Sequence, residues 1–140
     1  MGDATADTEQ LVREYAEMWR DQDAARIPDL VSASFTGALP EAEGTVQGRD
    51  ELEALMREFT SAFPDFHVEI TDLLARGGTV VAEATYTMTH EGAFDGIDPT
   101  GREVEIRAMA RFRLDDGRIT EHREYHDRQE IREQLGVVDE

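Results

Sequence analysis

The chain opens on helical spacing. Leu11, Val12, Tyr15, Met18 and Trp19 fall at i, i+1, i+4, i+7 and i+8, one apolar stripe along a helix that Asp7 or Thr8 caps, with Gln10 reaching back. Asp23 is placed to cap a short second helix through Leu30, which tolerates Pro28 only in its first turn. Residues 34–46 hold Gly37, Pro40 and Gly44 and read as an irregular or short-strand connection. Leu52, Leu55, Met56 and Phe59 mark one face of a third helix, which begins at Asp50 and stops at Pro64.

From Phe66 the period changes to two. Phe66, Val68 and Ile70 alternate with His67, Glu69 and Thr71, the pattern of a half-buried strand. After a Gly77-Gly78 turn, Val80, Ala82, Ala84, Tyr86, Met88 and His90 share one face of a second strand. Residues 92–101 read as a loop. Ile106, Ala108, Ala110, Phe112 and Leu114 share a face of a third strand, and Asp116-Gly117 turns the chain into a last one, Ile119 to His126. Ile131 and Leu135 lie on a closing helix that Gly136 ends. Helices, then an antiparallel meander, then a short helix predict the α+β class, with N-terminal helices packed on the concave face of a curved sheet.

Length and composition narrow the picture. A chain of 140 residues, 39% hydrophobic, predicts one domain over 1–140 with residues 1–6 frayed. No apolar stretch approaches the ~20 residues of a membrane span. The first residues carry neither the basic nor the apolar region of a signal peptide, so a cytoplasmic protein is expected. The absence of Cys removes disulfides, thiol nucleophiles and cysteine–zinc sites. The formal charge is -18, and all 14 basic residues are Arg. Coulomb repulsion then argues against nucleic acid and anionic membranes as partners. The acids are spread along the chain, which favours a halophilic adaptation over an acidic interaction tail. Without Lys there is no Schiff-base chemistry.

The densest information lies between Thr89 and Asp127, where two strands joined by Asp115-Asp116-Gly117 end on a carboxylate that opens a helix. Specific words recur around it: Phe63-Pro64-Asp65-Phe66, Thr89-His90-x-Gly92, Gly96-Ile97-x-Pro99-Thr100-Gly101, Phe112-Arg113-x-x-Asp116-Gly117-x-Ile119, Glu121-His122 and finally Asp127. On these residues, from Leu11 to Gly136, the chain resembles the SnoaL-like polyketide cyclase (ester cyclase) family of the NTF2-like, cone-shaped fold. The resemblance implies a homodimer through the broad exposed face of the sheet. It also implies a cofactor-free enzyme that closes a ring by intramolecular aldol condensation, with an Asp at the end of the last strand as general acid and base. Asp127 matches that position.

The residues carry this reading with alternatives. A carboxylate at the mouth of an apolar cone has its pKa raised by desolvation and can exchange a proton near neutrality. Asp127 also stands before a helix with Glu130 three residues on, which is an N-cap and capping-box pattern. His90, at the inward end of its strand, is the second catalytic candidate, or a core-edge histidine bonded to backbone. Regular alternation along the last strand puts Arg123 and Tyr125 on the face of Asp127 as substrate-binding residues. Arg123 stands where the family often carries Trp; it would favour an anionic ligand or hold Asp127 ionised, or else pair with a neighbouring Glu. Tyr15, Trp19, Tyr86, Met88, Phe59 and Phe63 are further lining candidates, with core packing as the other account.

His122 and His126, with Glu124 between them, fall on the opposite face by the same alternation and lie too far apart along a strand to share an ion easily, so no metal is expected. Arg107, Met109, Arg111 and Arg113 alternate outward, towards a dimer contact or solvent. No phosphate cradle and no serine elbow occurs. The expected function is an aldol-type cyclase acting on a small, partly apolar carbonyl compound without a cofactor. A non-catalytic small-ligand-binding module, or an isomerase or dehydratase of the same fold, is the alternative.

Overall fold

A computed structural model of the chain describes residues 3–40, 42 and 44–137. Helix α1 spans Asp3–Asp21; a 3-10 turn, Ala24–Arg26, leads into α2, Ile27–Leu30; α3 spans Gly48–Ala62 and α4 spans Arg128–Gln134. The strands are β1 Val31–Ala38, β2 Val46–Gln47, β3 His67–Arg76, β4 Thr79–Thr89, β5 Glu103–Asp115 and β6 Arg118–Tyr125. They form one curved sheet in the order β2-β1-β6-β5-β4-β3. The class is α+β, as expected, with two local differences from the sequence reading.

The first difference is at the N-terminus. Helix α1 begins at Asp3, ahead of Asp7 and Thr8, so residues 3–6 are helical rather than frayed. Ala is the strongest helix former, and the chain here has Ala4 and Ala6. Met1 and Gly2 lie outside the described residues. The second difference is β1, which takes in residues 34–38 of the stretch read as an irregular or short-strand connection and runs parallel to β6, so the sheet is mixed rather than a plain antiparallel meander. Its small and polar residues show no clean alternation; pairing with β6 on one side and β2 on the other makes it a strand.

Two single-residue bulges bend the antiparallel part of the sheet, and a wider register shift interrupts β1 against β6 between Val31 and Thr36. Thr71 is the extra residue between the pairs Ile70–Ala84 and Asp72–Glu83, and Thr120 is the extra residue between Ile119–Leu114 and Glu121–Arg113. Each threonine hydroxyl donates to a carbonyl of the facing strand: Thr71 to Glu83 at 3.1 Å and Thr120 to Arg113 at 3.1 Å. An extra residue on one strand kinks it and adds twist, and here that curls the sheet towards the helices.

Helix α1 packs against β3, β4 and β6, and α3 against β1. Val12, Tyr15 and Met18 are buried from α1, and Leu52, Leu55, Met56 and Phe59 from α3. Burial of each such side chain is worth about 1.5–3 kcal/mol, so these faces hold the helices on the sheet. A second apolar cluster closes the other end of the cone around Phe63, Phe66, Met88, Phe94, Ile106 and Ile131. Among the described residues no helix is long and apolar enough to cross a membrane.

Candidate active site

Between α1, α3 and the concave face of the sheet lies a cavity of about 60 Å³. Four alanines pave its floor: Ala82 and Ala84 on β4 pair across the ladder with Ala110 and Ala108 on β5. A methyl group at each of these positions leaves open the space that larger side chains would fill in a close-packed core. Phe59, Phe66, Val68, Ile70 and Phe112 form apolar walls, and the polar side chains of the lining are Tyr15, Trp19, Tyr86, His122 and Glu124.

These polar groups form a connected chain. The Tyr15 hydroxyl lies 3.0 Å from His122 Nδ1, and His122 Nε2 lies 3.2 Å from Glu124 Oε1. Tyr86 donates its hydroxyl to the same carboxylate oxygen at 2.6 Å, and His126 Nδ1 reaches Glu124 Oε2 at 2.9 Å. The side chains of His122, Glu124 and His126 are 5%, 6% and 0% exposed, so water screens none of these contacts well. An ionised carboxylate only accepts hydrogen bonds. With Glu124 ionised, His122 carries its proton on Nε2, and Nδ1 accepts from Tyr15 when the ring is neutral. The imidazole also stacks on Phe112, with ring centroids 4.5 Å apart, which fixes its plane.

Burial alone would raise the Glu124 carboxyl, but hydrogen bonds and charge from His122 and His126 outweigh it and hold the group below its ordinary value. Burial pushes the Tyr15 phenol up, against partial opposition from the nearby Trp19 indole, so Tyr15 stays protonated. An anionic carboxylate behind a histidine, with a protonated phenol in front of it, can accept a proton and stabilise the resulting imidazolium. Both histidines direct nitrogens at Glu124, and among the described residues no group of three or more metal-ligating side chains is arranged around an ion.

The residues singled out from the sequence divide into three groups. Tyr15, Trp19, Tyr86 and Phe59 line the cavity. Phe63, Met88 and His90 are buried outside it. His90 is fully buried, accepts the Thr100 backbone N–H on Nδ1 at 3.1 Å and packs on Phe63, so it fastens the loop after β4. Arg123, Tyr125 and Asp127 lie on the outside, contrary to the expected inward face. Tyr125 is 63% exposed, Arg123 Nε is 3.8 Å from Glu121, and the Asp127 carboxylate accepts the Gln129 backbone N–H at 2.9 Å as the N-cap of α4.

The reason is the bulge at Thr120. Ile119 points inward, and regular alternation from it would carry Arg123, Tyr125 and Asp127 inward too; the extra residue reverses the parity and turns His122 and Glu124 into the cone. Sequence reasoning noticed these two residues and His126 but assigned them to the wrong face. The available signal was their clustering: two of the four histidines of the chain flank one glutamate at strand spacing.

The curved mixed sheet with helices over its concave face is the architecture of the NTF2-like fold. It is shared by a protein of ketosteroid isomerase-like fold from Catenulispora acidiphila, solved with trimethylamine, at 20% identity and a TM-score of 0.78 over 91% of this chain and 93% of that one. AclR from Streptomyces galilaeus superposes with a TM-score of 0.82 at 26% identity, covering 97% of this chain and 89% of that one. IdmH from Streptomyces antibioticus gives a TM-score of 0.82 at 24% identity, over 93% and 99%. Among proteins of curated function no sequence matches the chain. The model of the SnoaL-like polyketide cyclases matches residues 9–135, and the chain belongs to that family.

Proposed function

We propose that the protein is a cofactor-independent enzyme that moves a proton at a small, partly apolar carbonyl compound, in an aldol-type ring closure of the kind its family name denotes. The observation that carries this reading is the buried Tyr15–His122–Glu124 chain in the wall of an otherwise apolar cavity. His122 takes a proton from a carbon next to the carbonyl, on Nδ1. The Tyr15 hydroxyl turns from that nitrogen to the developing enolate oxygen, and its raised pKa keeps it a donor rather than an acid that ionises. Glu124 holds the ring through Nε2 and stabilises the imidazolium; Tyr86 and His126 hold Glu124.

The test needs no knowledge of the natural substrate. 2-Indanone has acidic hydrogens beside its carbonyl, and their exchange in deuterium oxide is followed by proton NMR. The wild-type protein should speed exchange, and Glu124→Gln should remove about 10²–10⁴-fold of that effect, the usual size of general acid–base assistance. Exchange unchanged in Glu124→Gln would remove the assignment. A protein that binds the ketone without exchanging its hydrogens would support the alternative, a small-ligand-binding module.

The same reading includes a second copy of the chain on the outer face of the sheet. Met109 and Tyr125 are paired across β5 and β6 there and are 48% and 63% exposed, with Arg107, Arg111, Arg113 and Arg123 on the same face. It also includes a high-salt cytoplasm as the setting of so acidic a chain.

A further inference from the structure

One polar atom beside the cavity takes no part in the Tyr15–His122–Glu124 chain. Trp19 Nε1 is buried and has no hydrogen-bond acceptor within the protein. An indole N–H can only donate, and a buried donor left without an acceptor is rare in folded proteins. Trp19 lies one helical turn beyond Tyr15 on the same face of α1, and both line the cavity. The indole N–H is near enough to the Tyr15 hydroxyl to pull the phenol's pKa down, but it is not aligned on that oxygen in hydrogen-bond geometry, so it stays available to a better-placed acceptor. An oxygen bound between them would therefore meet two donors, the indole at once and the phenol when it turns from His122.

The rest of the cavity describes the remainder of the ligand. The floor of Ala82, Ala84, Ala108 and Ala110 is shallow and apolar, which suits the face of a flat ring. Among the described residues that line the cavity there is no arginine, and Glu124 is the one carboxylate, already engaged by His122, Tyr86 and His126, so the lining offers no free cation for an anionic ligand and suits a neutral one. Phe59 packs edge-on against Trp19, with centroids 6.3 Å apart, and also borders a wider outer cavity of about 510 Å³ beside α3.

We infer that the Trp19 indole N–H is the donor that reads the oxygen of a neutral, flat, otherwise apolar ring ketone, and so selects ketones over hydrocarbons of the same shape. This rests on the reading of the cavity as a carbonyl site but concerns recognition, not proton transfer.

Trp19 is the only tryptophan of the chain, so one indole N–H resonance and one tryptophan fluorescence signal report on this atom alone. 2-Indanone and indane, which differ in the carbonyl group, are titrated separately. With the wild-type protein, 2-indanone should move the indole N–H resonance downfield and bind about tenfold more tightly than indane, the size of one net hydrogen bond. In Trp19→Phe, followed by calorimetry, the two compounds should bind within about twofold of each other, because the aromatic wall remains, the Tyr15 hydroxyl stays on His122 Nδ1 in simple binding, and the indole donor is gone. The wild-type resonance decides the question even if that variant folds poorly. An indole signal that 2-indanone leaves in place, or a ketone preference that survives in Trp19→Phe, would overturn the inference while leaving the exchange chemistry of Glu124 standing. Failure of both compounds to bind would remove the inference together with the carbonyl-site reading beneath it.

Discussion

Ile119 and His122 stand three residues apart on β6 and yet face the same side of the sheet, both buried in the cone. On a regular strand an odd separation puts side chains on opposite faces. Thr120, unpaired in the ladder and tied to Arg113 by its hydroxyl, supplies the extra residue that brings them together. The chemistry of the site follows from this one insertion: it puts a histidine and a glutamate inside, and an arginine, a tyrosine and an aspartate outside.

Asp127 separates the assignment that follows from family resemblance from the one proposed from geometry. As an exposed N-cap, Asp127→Ala should lower the unfolding free energy by about 1 kcal/mol, read by chemical denaturation. Deuterium exchange into 2-indanone should stay at the wild-type rate. A folded Asp127→Ala protein that has lost exchange would return the catalytic role to this residue.

The alanine floor has its own consequence. Ala84→Leu puts three further carbon atoms where β4 faces the cavity opposite Ala108. Affinity for 2-indanone should fall by more than about tenfold, since the added volume takes the ligand's place. The melting temperature should change little, because the added atoms enter existing space rather than a filled core. Undiminished binding in this variant would show that the ligand lies elsewhere.

Stability should respond to pH at both ends. The Glu124 carboxyl is below its ordinary value of 4.5 in the folded chain, so its contribution is present above about pH 4.5 and fades as the pH falls from there towards the folded value. The Tyr15 phenol is above its ordinary value of 10.0, so its contribution is present below about pH 10 and fades as the pH rises further. Unfolding free energies of the wild type, Glu124→Gln and Tyr15→Phe, compared at acid, neutral and alkaline pH, isolate these two groups from the remaining acids. The gap between wild type and Glu124→Gln should close on the acid side, and that between wild type and Tyr15→Phe on the alkaline side. Gaps that stay constant with pH would contradict the described charge states.

Much of the architecture was legible in local patterns. The stripe from Leu11 to Trp19 and the faces of β4 and β5 follow from periods of 3.6 and 2, because a segment with one apolar face has few ways to bury it. The four alanines were visible as inward residues, but not as two facing pairs, since pairing depends on register between strands. From sequence, β1 stays open between an irregular and a short-strand connection, because its own residues are ambiguous and its strand character comes from β6 and β2.

The sequence alone determined the family, the α+β class, the acidic charge and the presence of His122, Glu124 and His126 in one short run. Tertiary structure alone decided which side of the sheet those residues face, because a bulge is a property of two strands paired together. A single unpaired residue, Thr120, costs the ladder little and reverses every side chain after it, so periodicity read along one strand could not reveal which carboxylate the cone encloses.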